Sequence, residues 1–261
     1  MQIEVAILQL RVDLTEEIEI RVARVIKLLD SLSEGTIAIL PELWTIGAFN
    51  YKPITKKVLE SQKSIRAQLV NKAMEKKIYL HLGSMPFQEN GNEAIFNQSK
   101  VFDPRGNLIL EYCKTHLFGG VEGERKDFSP GTNSTTASLS GMTVACAICY
   151  DLRFPELFRD LISKGAETFI VSASWPVARI SHWKTLLTSR AIENQSYVLG
   201  CNAVGTQGDV ELGGNSMIVN PNGVVVAELG GEEGVLLSKL DTGLVPDSRL
   251  SFPAVHEFMN S

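Results

Sequence analysis

Val144-Ala145-Cys146-Ala147-Ile148-Cys149 runs directly into Tyr150-Asp151-Leu152-Arg153-Phe154-Pro155, and the change of character between the two decides the fold class. The first run is apolar throughout, which suits a central strand buried on both faces rather than one with a wet side. The second is polar until Pro155, which stands at the first turn of a helix expected over residues 154–164; there its missing N–H costs nothing. A buried strand feeding a helix through a short polar turn is the unit of an α/β protein.

The alternation recurs outward in both directions. Residues 2–9 read as a strand. Leu14, Ile18, Val22, Val25 and Leu29 then recur at helical spacing, with Asp13 or Thr15 as the expected cap. Residues 36–40 form a short strand ended by Pro41, and a helix over 55–76 leads into a strand at 78–82. Residues 95–117 read as a hairpin turning at Asp103-Pro104-Arg105-Gly106, where Pro presets the first turn angle and Gly tolerates the last. Downstream come a strand at 168–171, a helix at 181–195 and a strand at 197–203. Strands at 215–220 and 224–229, around Asn220-Pro221-Asn222-Gly223, finish the expected core. Nothing like a linker or repeat divides the chain, so one domain over 1–261 is expected. No Gly-x-Gly-x-x-Gly follows the first strand and no Gly-Lys-Ser/Thr loop exists, which removes the nucleotide-phosphate motifs.

Composition narrows the function classes. The chain has 261 residues and a net charge of −5, without the basic patch of a nucleic-acid binder. No apolar run approaches the ~20 residues that span a bilayer, and the first residues lack the pattern of a signal peptide. No nucleic-acid or membrane partner is therefore expected. Four cysteines are too sparse for a disulfide framework, so the expected location is a reducing cytoplasm. Cys146-x-x-Cys149 superficially matches a redox or zinc pair, but no second pair follows at ligand spacing. Residues three apart on a strand also point to opposite faces. Neither metal nor cofactor is expected.

Cys149 is the sharpest chemical signal. At a strand end before a helix it borders a crevice, and the helix N-terminus favours its thiolate; as a small buried hydrophobe it would do nothing. Its usual partner is histidine, and His81, His116, His182 and His256 all stand as candidates, with His116 near the proposed site. Two other segments are more pointed. Leu40-Pro41-Glu42-Leu43-Trp44 puts an acid directly after a buried strand; if desolvated, its raised pKa would suit a general base, and if solvated it is a loop acid. Tyr112-Cys113-Lys114-Thr115-His116-Leu117-Phe118 sets a lysine among apolar and aromatic residues, where it is either functional or a snorkelling surface group.

Taken together, Leu40-Pro41-Glu42, Lys114-Thr115-His116-Leu117 and Cys149-Tyr150-Asp151-Leu152-Arg153-Phe154-Pro155-Glu156 resemble the three signature blocks of the nitrilase-like carbon–nitrogen hydrolase superfamily. The similarity continues through Ala173-Ser174-Trp175-Pro176, Arg190-Ala191-Ile192-Glu193-Asn194-Gln195, Gly214-Asn215-Ser216 and Asn220-Pro221-Asn222-Gly223, nearly the whole chain. The resemblance implies a four-layer α-β-β-α sandwich of two mixed sheets covered by helices, and a homodimer with the 190–194 helix near its interface. It implies Glu42 as general base, Lys114 as oxyanion stabiliser beside a backbone N–H of Tyr150, and Cys149 as nucleophile. A second acid between the Lys and Cys blocks is implied as well. Glu124 matches the pattern best, with Phe128 and Gly131 behind it, and Glu122 competes.

Trp175-Pro176-x-x-Arg179-x-x-His182-Trp183 with Arg190-Ala191-Ile192-Glu193-Asn194-Gln195 is most similar to omega-amidases. That implies hydrolysis of the terminal amide of a small α-keto acid monoamide such as 2-oxoglutaramate. Other amidases of the superfamily stay open: those for deaminated glutathione, N-carbamoyl compounds or nitriles. So do a Cys146/Cys149 dithiol oxidoreductase and a binding protein without turnover. Tyr150, Trp175 and Arg179 are candidate substrate-binding residues. Trp175 would wall the pocket or pack the core. Arg179 or Arg153 could fork a substrate carboxylate, with Arg153 expected instead in an ion pair with Glu156 or Asp151.

Overall fold

The computed structural model describes residues 1–50, 52–89, 93–120 and 123–260. The chain runs β1 (Gln2–Gln9), α1 (Ile18–Asp30), β2 (Ile37–Ile39), α2 (Lys56–Lys76), β3 (Tyr79–Gln88), β4 (Ile95–Phe102) and β5 (Leu108–Cys113). It continues through β6 (Thr136–Leu139), β7 (Met142–Ile148), α3 (Pro155–Ser163), β8 (Thr168–Ala173), α4 (Ile180–Asn194) and β9 (Tyr197–Asn202). A small ribbon follows, β10 (Val204–Gln207) with β11 (Val210–Gly213), then β12 (Met217–Val219), β13 (Val225–Glu228), β14 (Gly234–Asp241), α5 (Leu244–Ser251) and α6 (Ala254–Met259).

Two six-stranded sheets result, ordered β14-β1-β2-β3-β4-β5 and β13-β12-β9-β8-β7-β6. In each the central three strands are parallel and the flanking ones antiparallel. Period-two alternation builds the layers. Ile3, Val5, Ile7, Ile37 and Ile39 join a core shared with β7, β8 and β9. Their neighbours Ala6, Leu8, Ala38 and Leu40 pack instead with Val22, Val25 and Leu29 of α1 and Ile65, Leu69 and Ala73 of α2. Each such fully buried Leu or Ile side chain stabilises the layer by roughly 1.5–3 kcal/mol. Leu157, Phe158 and Leu161 of α3, with Trp183, Leu187 and Ala191 of α4, cover the second sheet. This is the expected four-layer α-β-β-α sandwich.

Several boundaries differ from the sequence reading. Helix α1 begins at Ile18 without a side-chain cap. Asp13 is engaged elsewhere, accepting from the Thr206 amide at 2.7 Å. Strand β3 runs on past residue 82 to Gln88, through Gly83 and Pro86. At Gly83 (φ 68°) the register against β4 slips, and a Cβ there would lie 1.9 Å from the Pro41 carbonyl oxygen. The bulge seats the loop after β2, which carries Glu42. Beyond residue 229 the core is not finished: β14 pairs along the full length of β1.

Candidate active site

Glu42, Cys149 and Ser174 follow the C-terminal ends of the parallel strands β2, β7 and β8, and Lys114 follows β5. In α/β sheets this end of the strands is where side chains meet in a crevice. Four stretches distant in sequence converge there, 72 residues separating Glu42 from Lys114.

Lys114 is the centre of the cluster. Its Nζ donates to Glu42 Oε1 and to Glu124 Oε2, both at 2.7 Å, with the lysine only 1 % exposed. Asn97 Nδ2 bridges the same acids, at 3.1 Å to Glu42 and 3.0 Å to Glu124. The Ser174 amide donates to Glu42 Oε2 at 3.0 Å, and the Phe118 amide to Glu124 Oε2 at 2.7 Å. Burial would push the Lys114 ammonium down, but the Glu124 and Glu42 carboxylates beside it hold its pKa up. Glu42 is pushed up by burial and by Glu124, against the pull of Lys114. One ammonium facing two carboxylates keeps the cluster short of positive charge. Glu124 lies in a 3₁₀ turn, Glu124–Lys126; the rival acid Glu122 is outside the described residues.

Cys149 adopts φ 47°, in the left-handed region that β-carbons resist, and opens a 3₁₀ turn over Cys149–Arg153. Holding a non-glycine residue there costs on the order of 1–2 kcal/mol, which the surroundings must offset. Its thiol lies close enough to the Glu42 carboxylate and the Ser174 amide for both to act on its titration. Burial and the Glu42 charge raise its pKa well above the ordinary thiol value, against Lys114. Burial and the neighbouring carboxylate act against the lowering expected at a helix N-terminus. The resting group is a thiol beside a base. Cys146 is a free, fully buried thiol within the hydrophobic core, and burial likewise raises its pKa.

Above the cluster opens a cavity of about 410 Å³ including its mouth. Glu42, Lys114, Glu124, Cys149 and Ser174 lie along it. Phe49, Phe118, Tyr150 and Trp175 are its aromatic wall, and Arg153 and Arg179 line it too. Trp175 serves both roles weighed for it, since its ring also packs against Trp183, with centroids 5.6 Å apart. The guanidinium of Arg153 sits 4.7 Å over the Trp175 ring and that of Arg179 5.9 Å over Phe118. Arg153 is thus turned to the cavity, not to Glu156 or Asp151; Asp151 is occupied by Tyr112, His116 and the Ile148 amide. Asn97, Ser174, Phe49 and Phe118 were not singled out from sequence. A signal existed for Asn97: Asn97-Gln98-Ser99 is an unbroken polar run inside a strand, and all three are buried. Such a run needs a polar partner within the fold.

The profile of the family described as "Carbon-nitrogen hydrolase" matches residues 4–249. A "2-oxoglutaramate amidase" of Paenarthrobacter nicotinovorans is 37 % identical, over 98 % of this chain and 89 % of its own. Among solved structures, Nit3 of Saccharomyces cerevisiae, a member of branch 10 of the nitrilase superfamily, superposes with a TM-score of 0.81 at 28 % identity, covering 97 % of this chain and 94 % of that one. A variant of the amidase from Nesterenkonia sp. AN1, in complex with butyramide, gives a TM-score of 0.82 at 27 % identity, over 96 % and 95 %.

Proposed function

The chain belongs to the carbon–nitrogen hydrolase family, and on that footing we propose that it hydrolyses the terminal amide of a small α-keto acid monoamide, 2-oxoglutaramate or a close analogue, releasing ammonia. The observation that carries the reading is one cavity holding a thiol–carboxylate–ammonium cluster together with two arginines. The cluster suits attack on an amide carbonyl. The arginines, stacked on aromatic rings, suit a carboxylate at the far end of the same short molecule.

In the proposed reaction Glu42 takes the Cys149 proton as Sγ bonds to the amide carbon. The Lys114 ammonium and the Tyr150 N–H, an early amide of the turn, face the developing oxyanion; losing one such donor typically costs about 3 kcal/mol of barrier. Collapse breaks the C–N bond, and protonated Glu42 gives its proton to the departing ammonia. Water then adds to the thioester with Glu42 as base, the C–S bond breaks, and the thiol is restored. Glu124 holds Lys114 in line. A raised Glu42 suits this shuttle, because a stronger base accepts the thiol proton more readily.

The cavity's size and its aromatic walls favour a compact substrate over a long peptide. A homodimer is part of the proposal: Ile192 on α4 and Val224 beyond Gly223 are exposed apolar residues on one surface. A reducing, cytoplasmic setting accords with four free thiols. The test is ammonia release across 2-oxoglutaramate, deaminated glutathione, N-carbamoyl amino acids and nitriles, with mass spectrometry of trapped enzyme. The keto-acid amide should show the highest kcat/KM and leave an acyl adduct on Cys149. Turnover confined to nitriles would overturn the substrate, and turnover without any adduct the mechanism.

A further inference from the structure

We propose that Asp151 is a positioning residue that sets the separation between Lys114 and Cys149. The inference rests on the amidase reading above and assigns a function to a side chain that touches neither the thiol nor the ammonium. Asp151 is 0 % exposed, and each of its oxygens serves a different part of the site. Oδ2 accepts from the Ile148 amide at 3.0 Å and from the Tyr112 hydroxyl at 2.8 Å. Oδ1 accepts from the His116 amide at 2.9 Å and lies 2.8 Å from its Nδ1. Four contacts of this kind match the acceptor capacity of one carboxylate.

The placement of those partners is the argument. Tyr112 and His116 stand two residues before and two after Lys114, so the carboxylate grips the lysine segment on both sides. Ile148 immediately precedes Cys149, while the Phe154 amide donates to the Asp151 carbonyl at 3.0 Å. The strained φ of Cys149 is thereby bracketed, and a strained residue persists only where its surroundings over-determine it. One buried group thus ties the nucleophile's turn to the oxyanion segment, which come from different sheets. The His116 ring also stacks on Phe154, with centroids 3.7 Å apart, and Phe154 meets Tyr150 edge-on in the cavity wall. Misplacing reacting groups by ~1 Å can cost on the order of 100-fold in rate, with binding little affected.

The test compares Asp151→Asn and Tyr112→Phe with the wild-type enzyme. Asn puts an NH2 where two donors converge, so kcat should fall by about 100-fold while KM changes less than about 3-fold. Alkylation of Cys149 by iodoacetamide, which needs no substrate, should slow in parallel. Tyr112→Phe removes no charge, only the hydroxyl's contact to Asp151 and its two to Thr115, and should lower kcat by several-fold. Circular dichroism and thermal unfolding report the folded fraction. Wild-type kcat and alkylation rates in folded Asp151→Asn overturn the proposal, as does a loss equal to the unfolded fraction. If that variant does not fold, Tyr112→Phe decides, and unchanged kcat and alkylation there overturn it. A wild-type enzyme inactive on amides would sink the amidase reading instead, and the alkylation rates would still judge the positioning.

Discussion

Replacing Lys114 with methionine would preserve the length of the side chain and delete its charge, leaving Glu42 and Glu124 facing each other inside the protein. At an effective dielectric constant of ~20, each 2.7 Å contact corresponds to about 6 kcal/mol of attraction. Most of that offsets the desolvation of buried Lys114 and Glu42 and of partly buried Glu124, so the expected net loss of stability is about 3–5 kcal/mol. The loss should depend on pH. Glu42 already sits above its ordinary value of 4.5, chiefly through burial; without the ammonium it rises further. Between its unfolded and folded values the native state then binds more protons than the unfolded state, so stability falls as pH rises through that window. Lys114's own raised pKa means its contribution is present below its ordinary value of 10.5 and does not vary from about pH 5 to 9. The deficit of Lys114→Met should therefore be smallest near pH 5 and grow towards pH 9. Urea unfolding followed through the fluorescence of Trp44, Trp175 and Trp183 at several pH values measures it. Lys114→Met/Glu124→Gln should recover part of the loss at the alkaline end. A deficit under about 1 kcal/mol, equal at all pH, would refute the view that the ammonium compensates the buried Glu42 and the partly buried Glu124.

Cys149→Ala should abolish ammonia release in a folded protein, whereas Cys146→Ser should leave it largely intact; inactivation by both would point back to dithiol chemistry. Arg179→Met should raise KM for 2-oxoglutaramate by ~10-fold or more, from the loss of a charge-assisted bond of roughly 1.5–3 kcal/mol. The same change should spare kcat/KM on butyramide, which has no carboxylate, and an equal effect on both would argue against a carboxylate clamp. Asn97→Leu should lower kcat by roughly 10-fold, because the two carboxylates lose their shared donor; a full-rate enzyme would mean that Asn97 only fills space.

Local patterns carried a good deal of this. The strand–turn–helix at Val144–Pro155 is visible because a run apolar at every position can only be buried, and proline marks where a helix can begin. Alternation in Ile3, Val5 and Ile7 against Ala6 and Leu8 carries the layering. By contrast neither Asp13 nor Thr15 caps α1, which starts without a side-chain cap, and Asp13 meets a partner 193 residues away. The extension of β3 past residue 82 is not legible, because a glycine that ends one strand looks the same as one that lets another backbone pass. Proximity in sequence pairs Arg153 with neighbouring acids, while in the fold its cation rests on Trp175.

Residue types in order offered the chemical parts, a carboxylate, an ammonium and a thiol at strand ends, while the resemblance to the carbon–nitrogen hydrolases, not hydrophobic periodicity, set them above their inert readings. Their protonation was not there to be read. Burial raises Glu42 and Cys149, and the two carboxylates at 2.7 Å raise Lys114 against its burial; both effects depend on distances between segments that only packing brings together. The same holds for Asn97 and Asp151, ordinary polar residues in the chain. Their importance arises from which buried groups the two sheets, once stacked, leave facing them.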